Sequence, residues 1–149
     1  MLKTVEKVLF LQDLPVFRNA TSEQLAQLAI ISRDRSFQMQ EVLFEAGNLC
    51  DSLQLLVDGK VQLGGPGQGP IVESTILDSL SFFAGQPHHA SAVAVTSGIL
   101  LETPRQDLSD LLTAEGEFAW VVLEEIARTG RQLMNQQGAG LAEYSPLSG

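Results

Sequence analysis

The chain has 149 residues, 44% of them hydrophobic, which suits one domain built on a single sizeable core. Eighteen acidic against nine basic residues give a formal net charge of −9, which repels nucleic acid and anionic membrane surfaces. The single cysteine, Cys50, excludes an intrachain disulfide, and no basic cluster larger than Arg33 with Arg35 or Arg128 with Arg131 offsets the negative charge.

The opening segment "MLKTVEKVLFLQDLPVF" mixes Lys3, Glu6, Lys7 and Asp13 into its apolar residues, a composition that neither a signal peptide nor a membrane span tolerates. A cytoplasmic protein without direct membrane insertion is therefore expected. Leu2, Val5, Leu9 and Phe10 recur at helical spacing and predict a short helix ending before Pro15. Thr21 and Gln24 form a capping-box pattern ahead of Leu25, Leu28, Ala29 and Ile31, which predicts a second helix.

From Phe37 the period changes to two. The runs "RSFQM", "EVLFEAG", "SLQLLVDG", "KVQLGG", "PIVESTIL", "ASAVAV" and "GILLET" read as short strands of a sandwich or barrel. Asp58-Gly59 is a hairpin signal, and "GGPGQGP", Gly64 to Pro70, reads as a hairpin loop, since it lacks the Lys and helix start of a phosphate-cradling loop. Thr103, Pro104 and Gln106 predict a cap, a first-turn proline and a capping partner for a third helix. The longest helical pattern runs from Glu117 to about Gln136, with Phe118, Val122, Ile126 and Leu133 along one stripe. Residues 1–136 are thus expected to form the domain, and residues 137–149, which lack periodicity, a disordered tail.

The order helix, "LPVF", capped helix, then "VLFEAGNLCDSLQLLVDGKVQL" resembles the cyclic nucleotide-binding domain, with Gly47, Asp51, Gly59 and Val61 at matching turn and strand positions. The resemblance covers Leu2 to Leu133. It implies a mainly β fold with flanking α-helices: a jelly roll, or double-stranded β-helix, with N-terminal helices and a long C-terminal helix.

The family's phosphate-binding cassette reads Phe-Gly-Glu, an apolar pair, a short loop, Pro-Arg and a small-residue strand. "DSLSFFAGQPHHASAV" aligns to it without gaps. Asp78 falls on the cassette glycine, Ser79 on the glutamate, Phe82 and Phe83 on the apolar pair, and His88 on the arginine, while Ala90 and Ser91 begin the next strand. The resemblance implies that the glutamate would accept from a ribose hydroxyl and the arginine would pair with the cyclic phosphate. Neither side chain is present, so the cassette reads as diverged. Losing one partner of a desolvated charge pair typically costs about 2–5 kcal/mol, or about 1.5–3.5 decades of affinity. No cofactor is expected, and cyclic AMP or cyclic GMP should bind weakly at best.

Asp78, Ser79, Leu80, Ser81, His88, His89 and Ala90 are the candidate ligand residues of this diverged cassette. His88 reads either as a polar loop residue or as a weak, protonation-dependent contact to an anion. Adjacent histidines on an extended segment face opposite ways, and no third histidine exists, so a metal site is not expected. The multi-histidine pattern of metal-dependent jelly-roll enzymes is missing too. "GNLCDS" surrounds Cys50 with an acidic turn rather than the electropositive setting that activates a thiol.

With no catalytic acid–base pair, activated nucleophile or metal cluster legible, the chain reads as a noncatalytic regulatory or protein-interaction domain. The alternative is a small-molecule sensor that takes an atypical cyclic nucleotide or another anion in the cassette pocket. Its partner is expected to be another protein or a second copy, met through the C-terminal helix. Ala119, Trp120, Val122, Ile126 and Leu133 are the candidate interface, and Thr129 fills their near-heptad spacing.

Overall fold

The computed structural model describes residues 1–64 and 67–136. The expectation for the tail, 137–149, lies outside the described residues, as do residues 65 and 66 of the glycine-rich loop.

Helix α1 (Thr4–Gln12) ends where Pro15 forbids its continuation, and a 3₁₀ turn at Pro15–Phe17, unread in the sequence, follows. That turn buries Phe17, whose ring lies 6.0 Å from that of Phe118. Helix α2 (Ser22–Ile31) begins with the expected capping box: Thr21 Oγ1 accepts from the Gln24 N–H, and Gln24 Oε1 accepts from the Thr21 N–H.

Eight strands follow: β1 (Arg33–Phe37), β2 (Val42–Phe44), β3 (Ser52–Asp58), β4 (Val61–Leu63), β5 (Ile71–Val72), β6 (Thr75–Leu77), β7 (Ala92–Ala94) and β8 (Gly98–Pro104). They form two antiparallel four-stranded sheets, ordered β1-β8-β3-β6 and β2-β7-β4-β5, which is a jelly roll. A short helix, α3 (Ser79–Ala84), lies between β6 and β7, and α4 (Arg105–Ala114) and α5 (Gly116–Gln136) close the described chain.

Side-chain alternation along the central strands divides the core in two. Leu53 and Leu55 of β3 and Leu101 of β8 face the helices and pack with Leu11, Leu25, Leu28, Phe82, Leu108, Phe118 and Val122. Their neighbours Leu56 and Leu100 point between the sheets, onto Phe37, Phe44, Val61, Leu77 and Ala92. The strands β3 and β8 are therefore covered on both faces, which explains the nearly continuous apolar runs "LQLLV" and "ILL".

Three local readings are corrected by tertiary pairing. Asp58-Gly59 is not a hairpin turn: β3 pairs with β6 and β8, whereas β4 pairs with β5 and β7, so this turn carries the chain from one sheet to the other. Gly59 sits at φ +100°, and a Cβ there would lie 2.8 Å from the Ser97 carbonyl oxygen, because the return crossover from β7 to β8 packs against it. "PIVESTIL" is likewise not one strand. Ser74, at φ +47°, breaks it, sending β5 and β6 to different sheets.

Thr103 is not a helix cap. It is fully buried within β8, its hydroxyl 2.6 Å from the hydroxyl of Ser32, and α4 starts only after Pro104. Gln106 turns to Asp110 instead of capping. The β4–β5 hairpin does carry the glycine-rich loop, steadied by Gln62, whose Nε2 donates to the Gly69 carbonyl and whose Oε1 accepts from the Gly67 N–H.

Candidate functional site

Strand β6 delivers the chain to Asp78, which adopts the left-handed conformation at φ +53° and ψ 46° before α3 begins. Glycine takes this conformation freely, and Asp is among the few other residues that tolerate it. The kink turns the Asp78 carboxylate toward the segment before β7. There Oδ2 accepts from the His89 backbone N–H at 3.0 Å and lies 3.0 Å from His88 Nδ1. An ionised carboxylate has no proton to give, so the proton of that second contact belongs to Nδ1.

His88 is held from every side. Its N–H donates to the Asn48 carbonyl and its carbonyl accepts from the Gly47 N–H, both at 2.9 Å, fastening it to the turn between β2 and β3. Its ring stacks on Phe44, with centroids 3.6 Å apart and planes 9° from parallel. Only 5% of the residue is exposed. His88 lies in the loop between α3 and β7, and its imidazole is buried and held there rather than free in solvent. His89, by contrast, is exposed, and its side chain takes no part in this arrangement.

Five of the seven candidate ligand residues, Asp78, Leu80, Ser81, His88 and His89, come together around one open cleft of about 630 Å³, with Ala46 and Gly47 opposite them. Ser79 and Ala90 are not among its lining residues. The cleft wall contains one carboxylate and no lysine or arginine. Among the described residues no three His, Cys, Asp or Glu side chains gather as a metal-holding group.

Two residues that hold this site gave no recognisable signal in the sequence. Phe44 is the platform beneath His88, but it lies 44 positions earlier and reads there as an ordinary strand residue. Arg105, the first residue of α4, donates through Nη2 to the carbonyls of Cys50 and Phe82, while its guanidinium carbon sits 4.0 Å from the centre of the Phe82 ring. It clamps α3 to the start of β3 and to α4. Cys50 is buried beside it, and burial foremost, then the negative charge of Asp78, pushes its thiol pKa up, the reverse of what a nucleophile needs.

On α5 the proposed interface residues divide between two faces. Val122 is only 4% exposed and belongs to the helix-side core, so it is removed from the candidate interface. Ile126 packs on the same core and Ala119 is half-buried. Trp120 and Leu133 are exposed. The apolar stripe facing outward is shifted by one residue: Trp120, Leu123, Ala127, Gly130 and Met134, again at heptad spacing, all exposed except Gly130, which is half-buried. Among the described residues no helix is long and apolar enough to cross a membrane.

The jelly roll, the short helix between β6 and β7 and the long final helix define a domain of cyclic nucleotide-binding type. The profile of the cyclic nucleotide-binding domain matches residues 34–115, and the chain belongs to that family. An uncharacterized NTE family protein of Mycobacterium tuberculosis is 26% identical over 125 residues, which are 82% of this chain and 21% of that protein. The chain thus spans about a fifth of the length of the curated relatives it matches.

Among solved structures, the N-terminal domain of a transcriptional regulator from Streptomyces coelicolor A3(2) superposes with a TM-score of 0.73 at 26% identity, covering 87% of this chain and 96% of that one. A cyclic nucleotide-binding domain from Methylobacillus flagellatus gives a TM-score of 0.73 at 20% identity, with 89% and 79% covered. The latter likeness is one of fold.

Proposed function

We propose that this chain is a noncatalytic regulatory module whose cassette has diverged from cyclic nucleotide binding and whose output passes to another protein surface. The observation that carries this reading is the charge of the cleft. A cyclic nucleotide brings an anionic phosphate, and the residues around the cleft offer it Asp78 and no guanidinium or ammonium group. Ser79, at the position where the family pattern has glutamate, supplies neither the charge nor the reach to hold a ribose hydroxyl. The His88 imidazole is spent on Phe44 and Asp78.

The Mycobacterium relatives support a modular role, since the part similar to this chain is a small share of each. A net charge of −9 favours a protein partner over nucleic acid. Thermal-shift and calorimetric titration of the native chain with cyclic AMP and cyclic GMP at neutral pH tests the reading. No stabilisation, or only weak binding, is expected, because any ligand that binds the folded state alone raises its melting temperature by mass action. Tight binding of either nucleotide would overturn it.

A further inference from the structure

Two hydrogen-bond donors at the cleft wall, His88 Nδ1–H and the His89 backbone N–H, converge on a single oxygen atom, and that atom belongs to the chain itself. We infer that Asp78 is a tethered anion: its carboxylate fills the place from which these donors would hold a phosphate or carboxylate ligand, so the chain keeps its own cleft occupied. The inference rests on the diverged-cassette reading and explains what has replaced the ligand.

The donors cannot turn elsewhere. Stacking on Phe44 fixes the plane of the imidazole, and the paired backbone bonds to Asn48 and Gly47 fix the segment that carries both N–H groups. A free anion would therefore have to displace the carboxylate while sharing the cleft with its negative charge. A group tethered by a few bonds competes at an effective concentration of millimolar or more even when its linker is flexible. Here the linker is a single side chain on a backbone already kinked toward the donors. Ordinary concentrations of a solution anion lose that competition.

The experiment uses the full chain with two probes, inorganic phosphate and cyclic AMP, titrated separately into the native protein, Asp78→Asn and Asp78→Gly. Asparagine keeps the size, the acceptor oxygen and a tolerance for the left-handed conformation, but removes the charge. Glycine removes the occupant and suits the backbone. Phosphate affinity is expected to rise in the order native, Asn, Gly, with at least about a tenfold gain for glycine, the equivalent of one ordinary hydrogen bond regained.

If the glycine variant fails to fold, the order of native and Asn decides the matter. Folded variants that bind phosphate no better than the native chain overturn the inference while leaving the proposed function standing. Tight cyclic AMP binding by the native chain overturns both.

Discussion

The imidazole of His88 lies flat on the ring of Phe44, centroid to centroid at 3.6 Å, and so joins the segment before β7 to strand β2 through a buried stack. Removing the platform is expected to cost both core packing and cleft shape. Phe44→Ala should lower stability by about 3–5 kcal/mol, the range for a buried phenylalanine, read from urea unfolding. Phe44→Leu should cost less and yet still release the His88 ring, visible as broadened imidazole signals in nuclear magnetic resonance. A leucine variant with an unchanged His88 spectrum would show that the hydrogen bonds alone hold the ring.

Cys50 should resist alkylation. Its thiol pKa is raised, first by burial and then by the charge of Asp78, so the reactive thiolate is scarce near neutral pH. Iodoacetamide at pH 7 is expected to label the native chain far more slowly than the urea-unfolded chain. Asp78→Asn should speed the native reaction slightly, since one of the charges opposing ionisation is gone. Labelling at the rate of a free thiol would contradict the buried placement.

Asp34 gives a pH signature. Its carboxyl is held below its ordinary pKa chiefly by the Leu2 backbone N–H, which donates to Oδ2 at 3.0 Å, with burial opposing. A carboxyl whose pKa falls on folding stabilises the protein above the unfolded value, near 3.9. That contribution fades as pH drops through the folded value. The melting temperature of Asp34→Asn should therefore lie below that of the native chain at pH 7, and the gap should close as the pH is lowered from 4 toward 2. A gap independent of pH would mean that packing, not charge, is what the substitution disturbs.

The outward stripe on α5 predicts self-association. Trp120, Leu123 and Met134 are exposed at heptad spacing, with Ala127 and Gly130 between them allowing close helix approach. Sedimentation equilibrium at tens of micromolar is expected to show a dimer, which Leu123→Glu converts to a folded monomer. Val122→Glu, one residue away, should instead unfold the chain, because it buries an unpaired charge. A native chain that sediments as a monomer would rule out the dimer.

What the sequence disclosed follows the range of the interactions involved. The Thr21–Gln24 cap was legible because both partners lie within one turn. Most of the cleft was legible because Asp78 to His89 is a single short segment. The Asp58-Gly59 turn was misread for the opposite reason: its residues specify a tight reversal, but which sheet the next strand joins is decided by β7, more than 30 residues on. Thr103 looked like a cap until its distant partner Ser32 was in place. Phe44 and Arg105 matter only through residues far along the chain. On α5, two apolar heptad stripes lie one residue apart, and only packing on the helix-side core settles that Val122 and Ile126 turn inward while Trp120, Leu123 and Leu133 stay exposed.

The strand order has a consequence for how the protein is made. Strand β8 sits between β1 and β3, so neither of those neighbours can complete its ladder until the segment from Gly98 to Pro104 is available. The Ser32–Thr103 bond, which closes the same sheet onto α2, spans 71 residues. A nascent chain released before Gly98 would expose β1 as an unpaired edge and leave β3 half-paired. Contacts of such long range make jelly rolls slow to form, on the scale of milliseconds to seconds. This domain is therefore assembled only once nearly all of its strands have left the ribosome, and most truncations short of Pro104 should yield aggregating fragments rather than smaller folded ones.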